Sequence, residues 1–183
     1  MALNDHPTVK RYREWAASLP SGGLTDKIAA SRVKALAREA GADDAALVEV
    51  ERPDISDQRA DILAIFPRAK SLVSLVCRMN RENIRCHSRD VSDLEFLRTF
   101  EKINEVSRLL ARRLEAEGVH ALYLSGGFPM NMAHWPGKMW PVSHKTIAVA
   151  GGLGKTGHHR LVIHPRFGSF VVLGTLLLDR EAS

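Results

Sequence analysis

The sequence predicts an α+β fold, layered rather than doubly wound, and three observations carry that expectation. Helix-period and strand-period stretches are mixed along the chain. The segment RLVIHPRFGSFVVLGTLLLD sets two apolar runs on either side of His164-Pro165-Arg166-Phe167-Gly168, the pattern of a hairpin or tight connection. Only four residues follow Asp179, too few for the further βα units of a doubly wound sheet. A length of 183 residues fits one domain, 1–183, able to bury a full core. The composition, 45% apolar and 26% charged, is that of a globular protein. No apolar run approaches a membrane span and the start MALNDHPTVKRYREW is not a signal peptide, so a cytoplasmic protein is expected.

The elements follow in order. A first helix is expected over Thr8–Leu19, inside an N-terminal helical extension of residues 1–24, stopped by Pro20 and Gly22-Gly23. A second runs from Thr25, as N-cap, to Ala40, with Gly41 as its stop. Ala45–Val50 reads as a short strand. Ser56 can cap a helix over Asp57–Phe66, closed by Pro67, and Ser71–Cys77 (SLVSLVC) reads as a buried strand. Ser92-Asp93-Leu94-Glu95 has the form of a capping box. After it, Phe96, Phe100, Ile103, Val106, Leu110 and Leu114 recur at threes and fours until Gly118. Ala121–Ser125 is the next strand. The loop Gly126–Pro141, GGFPMNMAHWPGKMWP, is rich in Met and Trp and suits a wall around something flat and apolar, or a loop packed on its own core.

The stretch GGLGKTGHH at 151–159 contains the tail of a P-loop and a literal G-x-G-x-x-G. The P-loop fails because Val149 stands where its opening glycine is needed. The dinucleotide motif fails because Thr156–Ile163 is too short for a crossover helix before Pro165. His134-Trp-Pro-Gly137 matches the end of D-x-H-x-x-G, a cobalt-ligating motif of some cobalamin proteins, but Met132 replaces its carboxylate. His158, His159 and His164 lack metal-ligand spacing, so no metal site is expected. Two cysteines, Cys77 and Cys86, cannot hold an iron–sulfur cluster. The net charge of +5 permits an anionic partner, a tRNA included, but the basic residues are scattered without aromatic interleaving.

Gly152, Leu153, Gly154, Gly157, Ile163, Pro165, Gly168, Ser169, Leu173, Gly174 and Asp179 together give a specific pattern. It resembles the cobalamin-binding catalytic domain of epoxyqueuosine reductases and reductive dehalogenases, over about Ser31 to Asp179. The resemblance implies a nitroreductase-like α/β/α sandwich with a mixed, partly antiparallel sheet, and a short helix capped by Ser143 and ending at Gly151-Gly152. It implies that cobalamin binds with its base off the cobalt, in a glycine cradle where backbone groups approach the ligand. The binding set would be Trp140, Ser143, His144, Gly152, Leu153, Gly154, Thr156, Gly157, His158, Ile163, His164, Phe167, Gly168 and Ser169. Two departures stand out. The cysteine-rich ferredoxin segment that follows this domain in the family is expected to be absent, which calls for a separate iron–sulfur or flavin electron donor. Aligning Pro141-Val142 with the family's D-S-x-P-V puts Lys138 at the position of the family's acid, so Lys138 is the candidate proton donor. The expected activity is reduction of a small molecule or modified nucleoside. A non-catalytic corrinoid carrier or regulator, and a flavin-binding reductase of related fold, share the same residues.

Overall fold

The computed structural model describes residues 6–18, 27–127 and 141–183. Helix α1 (Pro7–Ser18) is followed by a two-residue strand β1 (Lys27–Ile28), helix α2 (Ala30–Glu39) and strand β2 (Asp44–Glu49). A 3-10 helix (Pro53–Gln58) leads into α3 (Arg59–Ile65), β3 (Ser71–Arg78), α4 (Arg81–Arg85) and the long α5 (Arg89–Ala116). Strand β4 (Ala121–Tyr123) and helix α6 (His144–Ala150) come next, then β5 (Lys155–Thr156), β6 (Val162–Ile163), β7 (Val171–Leu178) and β8 (Glu181–Ala182).

Helices and antiparallel sheet make the α+β class that the sequence predicts. The main sheet has the order β2-β3-β7-β4 and is antiparallel throughout, with Leu72 opposite Leu177 and Leu122 opposite Leu177 on the other side. The expected mixed sheet is therefore corrected: among the described residues parallel pairing is confined to β1 with β8, a separate two-stranded sheet. Both faces of the main sheet are covered. Val73, Leu75 and Cys77 on β3 and Val172, Leu176 and Leu178 on β7 join residues of α2 and α5 in one core cluster. Leu72 and Leu177 project to the other face, against Ile55, Ile62 and Ile147 of the 3-10 helix, α3 and α6. The uninterrupted apolar letters of both strands follow from this burial on two sides.

Three local expectations need correction. The second helix begins at Ala30, after the pairing of Lys27 with Glu181 and Ile28 with Ala182, a long-range contact that a helix pattern does not reveal; its expected cap Thr25 lies outside the described residues. Ser56 caps nothing, because Pro53 starts a 3-10 turn that runs straight into α3. The capping box at Ser92 is also wrong. Helix α5 has already begun at Arg89; the Ser92 hydroxyl donates back to the Arg89 carbonyl (2.9 Å). Glu95 accepts from the Asn80 amide (2.8 Å) and from the Thr99 hydroxyl (3.0 Å) instead. The two runs around residues 164–168 are joined by a tight connection and are not paired with each other: β6 pairs with β5, and β7 with β3 and β4.

Candidate functional site

Strand β4 covers only Leu176–Leu178 of β7, so beyond Thr175 the sheet edge is bordered by other elements. A cavity of about 290 Å³ lies there. Phe96 and Phe100 of α5 and Met79 form one side, and Ser143, His144 and Lys145 at the start of α6 form another. Leu161 and Val162, with Ser169, Val171, Val172 and Leu173 of the β7 segment, complete the lining together with Gly126. The first turns of α5 extend past the core: Phe96 is 47% exposed and packs edge-on against Phe100 at 4.6 Å, while Leu94 and Leu97 are also exposed. This apolar wall comes from chain segments far apart in sequence.

Helix α6 is fixed at its start by side chains. The Thr146 amide donates to the Ser143 hydroxyl oxygen (3.4 Å), and the Ser143 amide donates to Oε1 of the buried Gln58 (2.6 Å). That anchoring places His144 inward. Its Nε2 lies 2.9 Å from the Ser125 carbonyl oxygen and its Nδ1 lies 2.8 Å from Thr175 Oγ1. A carbonyl only accepts, so Nε2 carries the hydrogen and Nδ1 accepts from the Thr175 hydroxyl. Burial holds this imidazole below its ordinary value, the Ser125 carbonyl pulling the other way, so the ring is neutral at pH 7. Ser74, opposite Thr175 in the sheet, has a buried hydroxyl without a hydrogen-bond partner among the described residues. His144 is thus a neutral, orientationally fixed group at the cavity, bonded to Thr175, which lies opposite Ser74 in the sheet.

Of the sequence-predicted set, the structure brings Ser143, His144 and Ser169 together at the cavity. Lys138, Trp140 and the rest of the Met-rich loop from 128 to 140 lie outside the described residues. The glycines have other surroundings. Gly152 ends α6 at φ +75° with nothing within 4 Å of an added Cβ. A Cβ on Gly154 would run into the Ile163 carbonyl and lie 2.9 Å from Val162 Cγ1; one on Gly157 would lie 2.7 Å from His159 Cε1. These two glycines let the β5–β6 hairpin close on itself, a reason internal to the chain. Leu153 is buried with Val76, Ala148, Val162 and Leu173; Thr156 and His158 are exposed on the hairpin, and Ile163 is 44% exposed.

His164 is 2% exposed and serves the fold. The Arg166 amide donates to its Nδ1 (3.1 Å), which leaves the hydrogen on Nε2, 3.3 Å from Asp44 Oδ2. Asp44 also pairs with Lys34 at 2.9 Å. Burial pushes its carboxyl up, but Lys34 and the Ala45 amide more than offset this and hold it below the usual range. Phe167 stacks on His164 at 4.6 Å, and backbone hydrogen bonds between His164 and Gly168 close the turn, with Gly168 at φ +67°. Cys77 is a core thiol pushed up to about 11 by burial, unsuited to act as a nucleophile. Met79, Phe96, Phe100, Leu161 and Thr175 lie outside the site set expected from the sequence. The signal available for Thr175 is a lone polar residue inside an apolar strand, repeated by Ser74 on the neighbouring strand.

No family model matches the sequence, and no curated protein matches it. Solved structures do. A reductive dehalogenase whose structure suggests a mechanism for B12-dependent dehalogenation superposes with a TM-score of 0.65 at 16% identity, over 89% of this chain and 21% of that one. An epoxyqueuosine reductase with an epoxyqueuosine-modified tRNA-Tyr stem loop gives 0.58 at 13% identity, over 84% of this chain and 46% of that one. Epoxyqueuosine reductase from Bacillus subtilis gives 0.57 at 15% identity, over 82% and 45%. This chain therefore shares the fold found in these two groups of proteins. It spans under half the length of the epoxyqueuosine reductases and about a fifth of the dehalogenase. Among the described residues no helix is long and apolar enough to cross a membrane.

Proposed function

We propose that this chain is a corrinoid-binding, reductase-type domain of nitroreductase-like architecture, which takes cobalamin with its base off the metal. The observation that carries the reading is the coincidence of the shared fold with an apolar cavity built from the segments Ser143–Lys145 and Leu161–Leu173, the same region in which the sequence resembles the cobalamin-dependent proteins. The chemistry of the lining suits one face of such a ligand. Phe96, Phe100, Met79, Leu161 and Leu173 offer the apolar surface that a flat macrocycle needs, and Ser143 and Ser169 offer polar groups for its peripheral amides. When bound, the corrinoid would supply a low-potential cobalt centre, with electrons coming from a separate iron–sulfur or flavin donor.

The chain's own residues would seat, orient and shield. Phe96 and Phe100 exclude water from one side of the cavity. His144 stays neutral, so it presents no charge to an apolar ligand, and its bonds to Ser125 and Thr175 fix the start of α6. Lys138 is the candidate proton donor, at the position of the family's acid, and the substrate would be a small molecule or a modified nucleoside. Relative to the glycine cradle expected from the sequence, the binding wall moves from Gly154 and Gly157 to the apolar side chains around His144. Titrating the purified protein with cobalamin and recording the visible spectrum tests the reading. A saturable shift to the base-off spectrum is expected; an unchanged spectrum at excess cobalamin, or a stoichiometric flavin spectrum in the isolated protein, overturns it.

A further inference from the structure

A second cavity of about 410 Å³ meets the first at Met79 and has a different chemistry. Its lining is Arg78, Met79, Arg81, Arg166, Phe167 and Phe170, three guanidinium groups with no carboxylate among them. Arg81 spans the turn after β6, donating from Nη2 to the Arg166 carbonyl at 3.3 Å. The Arg166 guanidinium lies over the Phe167 ring at 4.9 Å, and Phe167 is itself stacked on the buried His164. Neither Arg81 nor Arg166 has an acidic partner among the described residues. Arg78 is paired with Asp43 at 3.2 Å, but Asp43 also serves Lys102 at 3.0 Å, one carboxylate for two cations. Asp43, Glu82 and Glu95 line the adjoining groove that shares Arg78 and Arg81, but Arg98 and Lys102 lie there too, so cations outnumber carboxylates.

We propose that Arg81 and Arg166, supported by Arg78, form a binding site for an organic phosphate monoester. Two planar guanidinium forks match the oxygens of a phosphate group, and stacking on Phe167 holds one fork in place before any ligand arrives. A phosphate monoester carries close to two negative charges at pH 7, which suits two unpaired arginines better than a single carboxylate does. Phe170 and Met79 supply the apolar surface for the organic part, at the junction with the first cavity. The site stands independently of corrinoid binding, since none of its arginines lines the first cavity.

The test is calorimetric titration with phenyl phosphate at low salt, on the natural protein, Arg81→Gln, Arg166→Gln and, as a control for lost charge, Arg89→Gln at the start of α5. Saturable binding is expected, displaced by inorganic phosphate, weakened roughly ten- to hundredfold in each groove variant and unchanged in the control. All three arginines are exposed, so matching circular dichroism and unfolding midpoints show that the variants remain folded. A parallel titration compares cobalamin with cobinamide, which lacks the nucleotide-tail phosphate. No saturable phenyl phosphate binding, equal loss in the Arg89 control, or an arginine dependence seen with cobalamin alone overturns the proposal. Failure of both corrinoids to change the visible spectrum bears only on the reading of the first cavity.

Discussion

His144 illustrates how one buried side chain links the fold to solution behaviour. Its value lies below the ordinary 6.5 because burial penalises the cation. As pH falls through about 6.5, the unfolded chain takes up a proton that the folded protein refuses, so this residue's contribution is full above that pH and is lost progressively below it. Comparing urea denaturation of the natural protein and His144→Gln at several pH values between about 7 and 5 should show the shallower decline in the variant. The difference is at most about 1.4 kcal/mol per pH unit. Parallel declines would remove His144 as a source. The glycines separate in a second residue-scale prediction. At Gly152 the requirement is a left-handed φ with open space, so Ala costs about 1–2 kcal/mol and Asn less. At Gly154 the obstacle is the Ile163 backbone, so Ala costs about 1–3 kcal/mol and Asn more than Ala. Denaturant midpoints for the four variants check the reversed order. The sequence pattern marks both glycines but carries no sign of which atoms lie beside them, so it does not separate a left-handed turn from a close backbone approach.

Among the elements, α5 divides into a half that holds the sheet and a half that walls the cavity. Ile103, Val106, Leu110 and Leu114 are buried against β3, β4 and β7, whereas Leu94, Phe96 and Leu97 are exposed. Leu110→Ala should destabilise the protein by about 2–5 kcal/mol. Phe96→Ala should cost about 1 kcal/mol or less, mainly the edge-on pair with Phe100, yet weaken corrinoid binding measurably. A loss of stability at Phe96 as large as that at Leu110, with unchanged corrinoid affinity, would assign the whole helix to the core. The apolar spacing along this helix is legible from sequence, because helical periodicity is local. Its start is not: the helix has begun at Arg89, three residues before Ser92, and Glu95 turns to the Asn80 amide across the α4 connection rather than back to Ser92. Helix α6 is legible in both limits, through the Ser143 cap and the Gly151-Gly152 stop, as the resemblance implies.

For the whole molecule, the four strands of the main sheet and the α+β class can be read from apolar runs and turn signals, since both depend on nearest neighbours in the chain. The sheet order, the β1–β8 pairing and the cavity cannot, since each depends on segments distant in the chain meeting in space. The cavity wall combines Met79, Phe96, residues at the start of α6 and the strand from Val171, so its occupation should be felt by the entire fold rather than by one loop. A ligand that binds only the native state stabilises it by about 2.7 kcal/mol at a hundredfold excess over its dissociation constant. For a chain of this size that corresponds to a rise in unfolding midpoint of roughly 5–10 °C. Cobalamin should produce such a rise, with slowed amide exchange in β3, α5, α6 and β7 together. Phe96→Ala should need more cobalamin for the same rise while starting from nearly the same midpoint. A midpoint that does not move with cobalamin, or protection confined to the β5–β6 hairpin, would place the ligand elsewhere, because the cavity lining runs from Met79, just after β3, through α5 and the start of α6 to β7.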